Sequence, residues 1–138
     1  MKRIVLITIF LCSVMSFSQV GVGTTDPKST LDINGNLSVK HLTLVGDTTA
    51  KLIDDGVYLS VNPQATDQEF RLPDPTQFPG RVYIIRNINN TITAKLTTVA
   101  GLLFPKGTTT GTVEVFMYEN NRRTLIVISD GVNWTFIE

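Results

Sequence analysis

The chain has 138 residues, with 12 basic and 12 acidic side chains and a formal net charge of zero when its one histidine is neutral. No basic stripe runs along it, so it lacks the clustered Lys and Arg that neutralise phosphates, and nucleic acid is not expected as a partner. The one cysteine, Cys12, lies in the first apolar stretch, which leaves the rest of the chain without disulfides or thiol chemistry.

Residues 1–18 read as a secretory signal peptide. Lys2 and Arg3 supply the positive start, Ile4 to Val14 the short apolar run, and Ser16 and Ser18 the small residues that a signal peptidase reads. The run is shorter than the roughly 20 apolar residues that cross a bilayer, so no membrane span is expected after cleavage before Gln19. Leu11 is not the small residue that a lipid-anchored cysteine requires before it. The protein is therefore expected outside the cell or at the cell surface. Two of the 12 basic residues go with the leader, so 10 face 12 acidic ones in the mature chain.

From Gln19 onward there are 18 threonines and no long Ala, Leu, Glu and Lys runs of helical period. Branched β-carbons resist helix and suit a pleated surface, so the fold class expected is all-β. Residues 19–62 read as short strands broken by Gly, Asn and Asp, forming an oligomerising segment. Asp26-Pro27 can start one helical turn at most. Leu31 and Ile33 alternate with polar residues up to Asn34-Gly35, and Leu37 and Val39 resume the alternation. That pattern predicts a hairpin with a type I′ turn. A second hairpin is expected between 51–53 and 57–61, across Asp54-Asp55-Gly56. Two-stranded hairpins are marginal alone, and without disulfide or metal their apolar residues need a partner surface. Val20, Val22, Leu31, Ile33, Leu37 and Val39 are the expected oligomerisation residues.

Residues 63–80 contain the proline-rich stretch Leu72-Pro-Asp-Pro-Thr-Gln-Phe-Pro-Gly80, read as a linker or extended edge because each proline removes a backbone donor. Residues 81–138 form a C-terminal β domain. Its strands are expected at 81–87, 92–99, 102–104, 112–118, 124–129 and 134–138, with turns at Asn89-Asn90, Gly101, Gly107, Asn120-Asn121 and Asp130-Gly131. This spacing predicts a small antiparallel sandwich or barrel-like domain. Leu125-Ile-Val-Ile128 is apolar at consecutive positions, so both of its faces should be covered.

Gln19-Val-Gly-Val-Gly-Thr-Thr-Asp-Pro and Leu31-Asp-Ile-Asn-Gly-Asn-Leu37 together resemble the "GIGT-x-x-P…L-D-V-x-G" repeat of phage tail-fibre and tailspike-like proteins and of secreted fibre-like proteins in Bacteroidetes-type bacteria. Asp130-Gly-Val-Asn-Trp134 is similar to the "DG-x-x-W" strand of the small β-domains that accompany such repeats. The resemblance implies a homotrimeric, β-rich appendage without catalysis. Such families often carry a self-cleaving chaperone domain with a Ser-Lys pair on a helical segment, and no such helix is legible here.

Chemical motifs are sparse. Gly21-Val-Gly23 lacks the third glycine and the flanking strand and helix of a nucleotide loop, and no cofactor is expected. His41 has no Gly-x-Ser-x-Gly partner motif and no second metal ligand beside it, so neither a catalytic nor a metal site is expected, and no enzyme. Asp47, Asp54 and Asp55 lack the alternation of a calcium loop and suit turns. Arg122-Arg123 reads as a solvated turn flank. Tyr83, Tyr118 and Trp134 are candidate contacts for a surface glycan, weighed against a place in the core. The alternative to an oligomeric fibre-like protein is thus a monomeric carbohydrate-binding module.

Overall fold

The computed structural model describes residues 20–26 and 29–138. The leader expected at 1–18, Gln19, and Pro27-Lys28 of the expected helical turn lie outside the described residues. Contacts divide the chain into two units, residues 1–38 and Val39–Glu138.

In the first unit, strands β1 (Val20–Val22) and β2 (Leu31–Ile33) pair in parallel, Val20 against Leu31 and Val22 against Ile33. The hairpin expected at Asn34-Gly35 is not formed. A type I′ turn needs positive φ at both central residues, and neither Asn34 nor Gly35 has it, whereas Gly23 does (φ 71°). Asn34 instead extends the parallel ladder: its N–H donates to the Val22 carbonyl at 2.9 Å. Its side-chain amide donates to the Gly23 carbonyl at 3.3 Å.

The second unit holds β3 (His41–Val45), β4 (Lys51–Leu52), β5 (Tyr58–Asn62), β6 (Gln68–Leu72), β7 (Val82–Asn87), β8 (Ala94–Thr98), β9 (Leu103–Pro105), β10 (Glu114–Met117), β11 (Thr124–Ser129) and β12 (Trp134–Ile137). The all-β, sandwich-like architecture is present. Two sheets enclose one core, with orders β3-β5-β7-β11-β12-β9 and β10-β8-β6-β4.

Pairing within the sandwich is mixed. From β3 to β8 the chain alternates between the sheets, and each strand lies parallel to the one a full winding earlier: His41 beside Tyr58, Tyr58 beside Ile84, Phe70 beside Leu96. Only the C-terminal strands add antiparallel pairs, β11 to β7 and β12, and β10 to β8. Asp54-Asp55-Gly56 therefore carries the chain from one sheet to the other and closes no hairpin; Gly56 takes φ 82° there.

This winding corrects the domain division. The strands at 41–62 belong to the same core as those at 82–137, so the boundary falls at Ser38, not Asn62. Residues 63–80 are no linker either, since β6 lies inside the four-stranded sheet. The core is built from alternate residues of both sheets, Leu59, Val61, Tyr83, Ile85, Leu125 and Val127 facing Phe70, Leu72, Leu96 and Val115, all almost fully buried. The strand period of two puts these side chains inward and their neighbours outward.

Candidate functional site

Trp134 and Tyr83 are not surface contacts. Both are 0% exposed and their rings meet at 5.7 Å between centroids. The Trp134 indole N–H donates to the Pro73 carbonyl at 3.2 Å. Beside it the Ser129 hydroxyl donates to the Pro75 carbonyl at 3.1 Å and accepts the Gly131 N–H at 3.1 Å. Asp74 caps a single 3-10 turn, Pro75–Gln77, by accepting the Thr76 N–H at 2.9 Å. The Asp-Gly-x-x-Trp element thus pins the proline-rich stretch across one end of the core. A wide ring with one donor at its tip suits that task, which is why these aromatics are inside.

Asp130 works within the same turn. Its carboxylate accepts the N–H groups of Asn133 (2.6 Å) and Val132 (2.8 Å), which hold its pKa below the ordinary value. Asn133 Oδ1 accepts the Leu102 N–H at 2.9 Å. These residues border a shallow cleft of about 300 Å3 with Phe104, Thr108 and Thr135, but their acceptors already serve the backbone.

Tyr118 is different. It is 43% exposed, and its ring stacks on Phe116 at 6.3 Å. Phe116 lies beside Lys95 on the outer face of the four-stranded sheet. The same face carries Leu52 and Thr97 in register with Arg71, and a group of charges. Glu69 accepts the Thr97 hydroxyl at 2.6 Å and pairs with Arg71, and these two groups, Thr97 first, lower its pKa. Lys95 lies 3.9 Å from both Glu69 and Glu114. A second cleft, about 450 Å3, opens nearby between Asp47, Thr48, Asp67 and Glu69.

His41 donates to or accepts from Ser60 at 3.0 Å and lies against Tyr58, 5.3 Å between rings. A catalytic histidine needs a nucleophile on one nitrogen and an orienting acid on the other; Ser60 is the only hydrogen-bond partner of this ring among the described residues. Asp47 accepts its neighbour's N–H at 2.7 Å, and Asp55 accepts the Gly56 N–H at 2.7 Å and pairs with Lys40. Among the described residues no group of three or more His, Cys, Asp or Glu is placed to hold a metal, and no helix is long and apolar enough to cross a membrane.

Arg122-Arg123 proves to be more than a solvated flank. Arg122 pairs with Glu138, and Arg123 donates to the Asn87 carbonyl at 3.1 Å and the Asn89 carbonyl at 3.2 Å, tying two turns together.

The expected oligomerisation residues fall in both units. Val20, Val22, Leu31 and Leu37 are 52%, 52%, 56% and 68% exposed, Ile33 is partly covered, and Val39 starts the second unit. Compared with protein-family models, with curated proteins and with solved structures, the chain matches none.

Proposed function

We propose that the chain is a secreted structural or adhesive protein of fibre type that works as a homo-oligomer, a trimer by its resemblance to tail-fibre repeats. Residues 19–38 serve as the assembly segment and the β domain is the part presented, outside the cell or at a bacterial cell surface. One observation carries this reading. Val20, Val22 and Leu31 are each more than half exposed on a ribbon of two three-residue strands, and Leu37 beyond it is too. So short a ribbon is not stable by itself in water, and association is the usual remedy where disulfides and metals are lacking. The reading assigns no catalysis.

Sedimentation velocity on the chain starting at Gln19 tests it. An oligomer at micromolar concentration is expected; a compact monomer would sink the proposal.

The Phe116–Tyr118 pair favours a second reading, as a carbohydrate-binding module, because an exposed ring backed by a half-buried one matches the apolar face of a sugar. A glycan array decides it: saccharide binding that Tyr118→Ala abolishes in a folded monomer would promote this reading over the first.

A further inference from the structure

The two sheets differ in the charge their outer faces carry. The four-stranded sheet turns Glu69, Arg71, Lys95 and Glu114 to solvent as an ion ladder. On the six-stranded sheet, register aligns Tyr58, Ile84, Ile126 and Ile137 in one row across four strands and Val82 with Ile128 in the next. Val82, Ile126 and Ile128 are 39%, 38% and 37% exposed. Arg86 is the only Lys, Arg, Asp or Glu among the strand residues on that face.

The consecutive apolar residues of Leu125-Ile-Val-Ile128 call for cover on both sides, and only the Leu125 and Val127 side is buried. Parallel strands such as β3, β5 and β7 are ordinarily covered on both faces too.

We infer that a second copy of this chain covers the outer face of the six-stranded sheet, so that the assembly axis stands in front of Ile84 and Ile126. The inference rests on the oligomeric reading above and moves the contact beyond residues 19–38. Size is that of a small stable interface: six strands about 4.8 Å apart and three outward rows give a face of about 29 by 20 Å, roughly 580 Å2, near the roughly 600 Å2 per partner at the lower end of stable interfaces. Composition fits as well. A face with one charge offers nothing by which to select a differently charged partner, whereas apolar rows meet their own copies without an unpaired charge at the centre.

The test uses the chain from Gln19 to Glu138, which has no cysteine. Ile126→Cys under mild oxidation is expected to give a disulfide-linked dimer on a non-reducing gel, and Glu114→Cys, on the other sheet's outer face, is expected to stay monomeric. Ile126→Glu with Ile128→Glu should weaken self-association by about 100-fold while the dissociated β domain keeps its far-ultraviolet circular dichroism and a cooperative melt, because both side chains point outward. If the parent chain is oligomeric but Ile126→Cys cross-links no better than Glu114→Cys and the double variant still assembles, the inference falls and the oligomeric reading stands. A monomeric parent chain overturns both. A monomer in which the amides of β7 and β11 resist exchange only while residues 20–38 are attached gives the face to the chain's own segment, and likewise overturns the inference.

Discussion

Asn87 is fully buried, yet its side chain has a partner for every role. The amide donates to the carbonyls of Ile92 and Met117, both at 2.9 Å, and its oxygen accepts the Asn89 N–H at 3.0 Å. Asn87→Ala would remove the partner of two carbonyls and of the Asn89 N–H and leave a small void. Each unsatisfied buried group costs about 1–3 kcal/mol, so a loss of about 3 kcal/mol is expected, seen as a lower urea midpoint with an unchanged slope. Gly101 takes φ 72°, and a β-carbon there would collide with the Val132 carbonyl. Gly101→Ala should therefore lower the melting temperature by several degrees, more than the roughly 1 kcal/mol of left-handed strain alone implies. Acid acts through Glu69 and Asp130, whose folded pKa values lie below their ordinary ones. A depressed carboxylate pKa stabilises the fold above the unfolded value, near pH 4, and that contribution disappears as pH falls through the folded value. A melting temperature flat from pH 7 to 5 and falling below pH 4 is expected, with a smaller fall in Glu69→Gln. Gly101 and Asp130-Gly131 were legible as turns because their chemistry is local. Asn87 was not: its need arises only where residue 117, thirty positions on, meets the turn before residue 92 beside it.

Among elements, the pinned proline-rich stretch makes a sharp prediction. Trp134→Phe keeps much of the apolar volume but removes the donor to Pro73 and part of the contact with Tyr83. About 2 kcal/mol of stability should be lost, and limited proteolysis should cut first between 73 and 80. Cleavage elsewhere would show that the stretch is held by its prolines and not by the tryptophan. The strands of 82–137 were readable to within about two residues, because each is longer, more apolar and bounded by a turn residue. The partners of the strands in 41–72 were not readable. Alternation says which side chains point inward, but nothing in it says which of two sheets a short strand joins. For the same reason Asp54-Asp55-Gly56 looked like a hairpin and Leu72–Gly80 like a linker. Lys51 adds a further point: it aligns with buried Phe70 and so starts from the core side of the outermost strand of its sheet. A lysine there discourages open-edge pairing with other chains, and Lys51→Val should raise light scattering on concentration without changing the fold.

For the molecule as a whole, the division at Ser38 implies that residues 39–138 carry their own core. That fragment should fold and melt cooperatively within a few degrees of the chain from Gln19; failure to fold would mean that the first unit completes the core. What the sequence alone revealed was the material of the fold and its turns, while the exposed apolar face needed the register of β7, β11 and β12 before its rows could be seen. The register of β3 to β8 has one more consequence. From β3 to β8 the strand ladders join only successive windings, as in a stack of coins, and the closing cap of β9 to β12 adds its ladders to the last winding alone, at β7 and β8. Duplicating residues 57–81 should add one strand to each sheet and leave the cap as it is, which makes this unit a ruler whose divisions are single windings.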